Sequence, residues 1–110
     1  MAEHRLDPLL QPSSIALLGA SERADSPGLV LARMALESDY RGAIFPVNPG
    51  YAEILGRRCY PGLDALPQTV EHVVIALGNA QLENALRAAI EHGARAVTIY
   101  SSGVLETDGD

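Results

Sequence analysis

Apolar residues run without a break through Ile15-Ala16-Leu17-Leu18 and stop at Gly19-Ala20-Ser21. A run this short and unalternating has the length of a strand buried on both faces, and the small residues behind it mark a tight turn. Residues 22–27 are polar, Gly28 permits another close approach, and residues 29–38 take helical spacing, with Leu31, Met34 and Ala35 on one face. Ala43-Ile44-Phe45-Pro46-Val47 reads as a second strand whose proline cannot donate to a ladder, which predicts a sheet edge or a strand end. Asn48-Pro49-Gly50 then forces a turn. Residues 54–61 read as a connecting segment, and residues 62–67 as a single helical turn with Leu63 and Leu66 inward.

His72-Val73-Val74-Ile75-Ala76-Leu77 is the cleanest strand, five apolar residues following the histidine, and it ends at Gly78-Asn79. Within residues 81–92, Leu82, Ala85, Leu86, Ala89 and Ile90 share a helical face, and Gly93 stands where a C-cap glycine belongs. Residues 94–100 form a fourth strand, closed by Ser101-Ser102-Gly103. Residues 6–11 are a lead-in whose leucines cover a core edge, and residues 104–110 carry no element of their own. Strands alternating with helices predict an α/β fold with a parallel sheet and right-handed crossovers. Four loops of small residues then converge on the rim at the carboxyl ends of the strands, where open α/β sheets bind ligands.

Composition narrows the partners. Eight basic against fourteen acidic residues give a net charge of −6, and the longest basic cluster is Arg57-Arg58. Nucleic acid and anionic membrane are poor general partners for such a chain, although local N–H groups and one or two arginines can still hold a polyanion. At 110 residues there is room for one domain. The single cysteine, Cys59, excludes an internal disulfide or a cysteine metal cluster, and no metal ligand set is expected. A reducing, cytoplasmic setting fits, since the amino terminus has no apolar signal region and no apolar run approaches a membrane span.

The candidate chemistry lies on the rim. The order strand, small-residue loop, helix start aims unpaired N–H groups and the positive end of a helix dipole at an anion, and Ser21 and Ser26 each add a hydroxyl. The loop has neither Gly-x-Gly-x-x-Gly nor a Gly-Lys-Ser/Thr ending. A purely structural role for Gly19 and Gly28, a turn and a close packing of helix on strand, is the competing reading. An NAD-type site places a carboxylate at the end of the second strand. Here that strand runs into Asn48-Pro49, and Asp39, although twenty positions beyond Gly19, precedes the strand. His4, His72 and His92 fall in the lead-in, at the start of a strand and at a helix C-terminus, where His92 suits a cation at the dipole. Cys59 reads as a small apolar filler.

Pro12 to Ser21, Ile44-Phe45-Pro46-Val47-Asn48-Pro49, Cys59-Tyr60-Pro61-Gly62-Leu63, His72 to Leu77, Gly93-Ala94-Arg95-Ala96-Val97 and Tyr100-Ser101-Ser102-Gly103, in that order, resemble the N-terminal CoA-binding domain of the NDP-forming acyl-CoA synthetases. That superfamily includes succinyl-CoA synthetase alpha chains and acetate–CoA ligases. The resemblance implies a Rossmann-like three-layer sandwich with a mainly parallel sheet, spanning residues 1–110 as one CoA-binding domain that lacks its last strand and belongs to a longer protein. It implies that Gly19, Ala20, Ser21, Glu22, Arg23, Ala24, Ser26 and Gly28 approach the phosphates of coenzyme A. By the same carry-over Asn48 and Pro49 line the adenosine, Leu77, Gly78 and Asn79 flank the pantetheine arm, and Ser101, Ser102 and Gly103 lie near the thiol. Two positions depart from the family pattern: Gly50-Tyr51 stands where a basic residue is common, which leaves a phosphate contact to Arg23 or Arg57, and Leu77-Gly78-Asn79 replaces a Val-Pro-Ala loop.

The implied activity is that of an acid–thiol ligase, interconverting acyl-CoA, NDP and phosphate with carboxylate, CoA and NTP. Its catalytic histidine, its ATP-grasp module and the ATP, ADP and Mg2+ they use would belong to further domains in cis or to a partner subunit, so no catalytic residue is expected in this chain. A free-standing, non-catalytic CoA-binding protein is the alternative, and an NAD(H)-binding regulatory domain a more distant one.

Overall fold

The computed structural model describes residues 14–100. Strand β1 (Ser14–Leu18) leads into helix α1 (Pro27–Leu36), β2 (Ala43–Val47), a small hairpin of β3 (Glu53–Ile54) and β4 (Arg57–Arg58), a 3-10 turn (Leu63–Ala65), β5 (His72–Ile75), helix α2 (Asn79–His92) and β6 (Ala96–Ile99). The main sheet is fully parallel, in the order β2-β1-β5-β6. The fold is thus the expected Rossmann-like α/β sandwich, with its first two strands in the centre and at one edge. One crossover differs from the expectation of helices throughout: β2 reaches β5 through the hairpin and the 3-10 turn.

Period-2 alternation in a two-faced sheet sends neighbouring residues to opposite cores. Ala16, Val47, Val73 and Ile75 pack under α2 with Ala85 and Ala89, and Leu63 of the 3-10 turn closes that side. Leu17, Ile44 and Ala76 pack under α1 with Leu31 and Ala32. The face that α1 buries is narrow because Gly28 and Ala32 let its backbone come close, so Met34 is left 58% exposed. Ile90 of α2 is likewise 71% exposed, outside the arc formed by Ala85 and Ala89. Both residues share a helical period with buried neighbours, yet neither belongs to the core.

The helix ends explain their own positions. Ser26 accepts the Leu29 N–H at 3.1 Å, and Pro27 follows at the first turn, so α1 starts two residues before its apolar periodicity does. Gly93 ends α2 at φ +96°, and its N–H and that of Ala94 return to the last carbonyls. His92 Nε2 accepts the Val70 N–H at 2.9 Å, a bond that ties α2 to the loop before β5.

Pro46 sits on an edge strand, as its missing N–H requires. Its carbonyl points outward and accepts the Tyr60 N–H at 2.9 Å, so the absent donor faces outward too, and Asn48 N–H donates to the Tyr60 carbonyl at 2.9 Å.

Candidate functional site

The rim is assembled from the turn at the end of β1. Gly19 adopts φ +100°, and its N–H donates to the Val47 carbonyl at 2.9 Å. A Cβ there would lie 2.5 Å from the Ala76 oxygen, so glycine is required both by conformation and by space. Gly28 is required by space alone, because a Cβ on it would collide with the Gly19 carbonyl oxygen. The start of α1 therefore lies directly against the β1 turn. The structural roles of these two glycines are real, and they are also what opens the rim.

The loop between them is pinned at both ends. Arg23 N–H donates to Ser21 Oγ at 2.9 Å, and the Arg23 carbonyl accepts from the Ser26 hydroxyl at 2.8 Å and the Ser26 N–H at 3.2 Å. Asp25 turns the chain at φ 61°. Three bonds fasten this loop to the segment after β2: Asn48 Nδ2 donates to the Ala20 carbonyl at 2.9 Å, Tyr51 OH meets Ser21 Oγ at 3.2 Å, and Leu55 N–H donates to Glu22 Oε2 at 2.8 Å. Asn48 Oδ1 also accepts the Gly50 N–H at 2.8 Å, which fixes the turn that aims Pro49 at the rim.

These loops surround a cleft of about 860 Å³. Gly19, Ser21, Arg23, Ser26, Gly28, Asn48, Pro49, Leu77, Gly78 and Asn79 all line it, so three of the four expected rim loops are brought together. Ala20, Glu22 and Ala24 do not line it: Ala20 is buried beneath the turn and Glu22 reaches outward to the hairpin. Ser101, Ser102 and Gly103 lie outside the described residues. Tyr51, in the stretch just after Pro49, lines it too, and sequence reasoning did not single out Leu18, Val47, Ala76, Gln81, Leu82, Ile99 or Tyr100, which also do. Tyr51, an aromatic three residues beyond Asn48, was the most accessible of these signals.

The cleft has two ends of different chemistry. Around the start of α1 it is polar, with Ser21, Arg23, Ser26 and the helix terminus; around β5, α2 and β6 it is uncharged, with Leu77, Leu82, Ile99 and Tyr100 beside the amides of Asn79 and Gln81. Arg23 is the one charged side chain among the described residues that line it, so the acidic balance of the chain lies elsewhere. Arg57 and Arg58 stand on the hairpin outside the cleft, and Arg58 stacks 5.0 Å over the Tyr60 ring.

No described cysteine or histidine lines the cleft. Cys59 is buried in the α1-side core, where burial pushes its thiol up. His72 pairs with Thr98 Oγ1 at 2.7 Å across β5 and β6, away from the rim. Among the described residues no group of three or more His, Cys, Asp or Glu is placed to hold a metal, and no helix is long and apolar enough to cross a membrane. The arrangement is suited to holding an elongated ligand with an anionic end.

The family model described as a CoA binding domain matches residues 13–107. The ADP-forming acetate–CoA ligase II of Archaeoglobus fulgidus is 31% identical over 98 residues, covering 89% of this chain and 15% of the ligase. An acetyl-coenzyme A synthetase of Candidatus Korarchaeum cryptofilum, solved with phosphate and ADP, superposes with a TM-score of 0.82 at 28% identity, covering 89% of this chain and 21% of that one. A conserved hypothetical protein of Pyrococcus furiosus superposes with a TM-score of 0.71 at 28% identity, covering 86% of this chain and 79% of that one. The chain thus spans about a seventh of the length of the curated ligases it matches. With the family model covering most of its length and the rim built as described, the chain belongs to the CoA binding domain family and is homologous to NDP-forming acetate–CoA ligases.

Proposed function

We propose that this chain binds coenzyme A and presents its thiol within an NDP-forming acyl-CoA synthetase. The observation that carries the reading is the polarity of the cleft, cationic and hydroxyl-lined at α1 and uncharged, largely aliphatic and aromatic, at β5, α2 and β6. Coenzyme A has the same polarity: a phosphorylated nucleotide at one end and an uncharged pantetheine arm at the other. In this reading the phosphates lie along Ser21, Arg23, Ser26 and Gly28, the adenosine meets Asn48, Pro49 and Tyr51, and the arm follows Leu77, Gly78, Asn79 and Leu82 past Tyr100. The thiol then attacks an acyl phosphate formed elsewhere, expelling phosphate, and the reverse reaction consumes acyl-CoA. The phosphoryl-carrying histidine and the ATP-grasp module that handles ATP, ADP and Mg2+ belong to further domains or to a partner subunit.

Calorimetric titration with CoA, dephospho-CoA and NADH tests this. Saturable CoA binding that weakens without the 3′-phosphate supports it; NADH binding without CoA binding overturns it in favour of a redox cofactor. Among the described residues no carboxylate lines the cleft wall to hold an NAD ribose, which counts against that outcome.

A free-standing CoA-binding protein is the second reading, favoured by the small Pyrococcus furiosus protein, most of which this chain spans. The mass of the native polypeptide in an extract of its own cells separates the two, since a synthetase needs several further domains or a co-purifying partner.

A further inference from the structure

Met34 and Tyr100 meet although 66 positions separate them: the Tyr100 hydroxyl donates to Met34 Sδ at 3.9 Å. α1 packs over β1 and β2 through Leu31 and Ala32, against Leu17 and Ile44, and Met34 on its flank is left to meet the end of β6. Tyr100 also lines the cleft, and its N–H donates to the Ile75 carbonyl at 2.8 Å, so its backbone is fixed and its ring is the part that can turn.

A thioether is a weak acceptor. Its hold on the hydroxyl gives way easily to a ligand carbonyl, and Tyr100 carries the one hydroxyl among the described residues at the uncharged end of the cleft. Met34 is also 58% exposed, and an accessible thioether is open to oxidation by hydroperoxides. The sulfur lone pair takes the terminal peroxide oxygen, the O–O bond breaks and an S–O bond forms. Sulfur loses two electrons, the peroxide gains them, and the hydrogen of the transferred oxygen passes to the leaving group, which departs as water or an alcohol. The sulfoxide oxygen is a far stronger acceptor than sulfur, and the 3.9 Å gap holds an S–O bond followed by a hydrogen bond of about 2.7 Å. The sulfoxide is chiral, so one of its two epimers turns the oxygen toward Tyr100.

We infer that Met34 is a redox-sensitive modification site acting on the uncharged end of the cleft: its sulfoxide retains the Tyr100 hydroxyl on α1 and withholds it from the ligand. The inference rests on the CoA reading for the identity of the ligand, and on the Met34–Tyr100 contact for the modification.

The untreated chain and the chain treated with dilute hydrogen peroxide are titrated with CoA and with ADP, once mass analysis has shown one added oxygen on the peptide that holds Met34. Oxidation is expected to weaken CoA about fivefold, the exchange of one neutral hydrogen bond, and to leave ADP, which has no arm to reach Tyr100, unchanged. Of the two reductases that each repair one sulfoxide epimer, one should restore the affinity and the other should not. Met34→Leu should show no response to peroxide; Tyr100→Phe should still take up the oxygen at Met34, with no change in CoA affinity. Unchanged CoA affinity in the oxidised wild type, an equal loss for ADP, or an undiminished response in Tyr100→Phe overturns the inference. If the untreated chain binds no CoA, the CoA reading falls, and near-ultraviolet circular dichroism, which in a chain without tryptophan reports mainly its tyrosines, decides on Met34. A tyrosine signal that changes on oxidation of the wild type and not of Tyr100→Phe upholds the modification site; the same change in both, or none in either, overturns it.

Discussion

Gly28 lies so close to Gly19 that a Cβ on the helix residue would collide with the carbonyl oxygen of the turn residue, and would stand 3.0 Å from Ser21 Cβ. One contact therefore sets the distance between α1, the end of β1 and the mouth of the cleft.

Gly28→Ala is expected to destabilise the chain by about 1–3 kcal/mol, the cost of forcing an atom into a packed contact that backbone must absorb. Urea denaturation with an unchanged slope would show it. Because the displaced helix start also carries Ser26, CoA affinity should fall in the same variant. Wild-type stability would mean that α1 does not approach the turn as described.

Ser26 separates capping from binding. Ser26→Ala removes the acceptor for Leu29 N–H and the donor to the Arg23 carbonyl, and should cost about 1 kcal/mol. Ser26→Asp restores the cap and should recover most of that stability, yet it sets a negative charge beside the proposed phosphate position and should bind CoA more weakly than the alanine variant. Equal CoA binding by the two variants would remove the phosphates from this end of the cleft.

Cys59 should be silent in the native state. Burial raises its thiol, so little thiolate forms near neutral pH and the sulfur is shielded. Alkylation by iodoacetamide is expected to be slow in buffer and fast in denaturant. Fast labelling of the folded chain would contradict its place in the α1-side core.

His72 gives the pH dependence. Burial lowers its pKa below the usual value of about 6.5, so in the acidic range the unfolded chain binds its proton more readily than the folded one. The stability it contributes is present above about pH 6.5 and is lost as pH falls through the lower, folded value. His72→Gln keeps a polar group toward Thr98 and should flatten the fall in stability between about pH 7 and pH 5. A pH profile identical to the wild type would show that the ring is not desolvated.

Much of this architecture could be read from residue pattern. Apolar runs marked the strands, Pro46 announced an edge, and Gly93 announced a helix end, because each depends on local chemistry that tertiary structure leaves intact. The hairpin was hidden for the opposite reason. Two-residue strands have no periodicity, and the turn through Leu55 and Gly56, at φ 50° and 82°, carries leucine where asparagine or aspartate would have signalled it. The exposure of Met34 and Ile90 and the bond of His92 to Val70 were not legible, because burial and partners across the fold, not spacing, decide what a helix face meets. The rim loops were legible as soon as the sheet was taken as parallel. Ile99 and Tyr100 were not, since only the length of β6 brings them to the cleft.

The outward carbonyl of Pro46, already joined to Tyr60, has a consequence for growth of the sheet. A further strand, from the same chain or another molecule, finds no donor at Pro46 and an occupied acceptor, so the β2 side is closed to edge-to-edge stacking. Among the described residues nothing pairs with the outer side of β6. Among the described residues the edge left open to a further strand is therefore that of β6, beside the Ile99 and Tyr100 wall of the cleft.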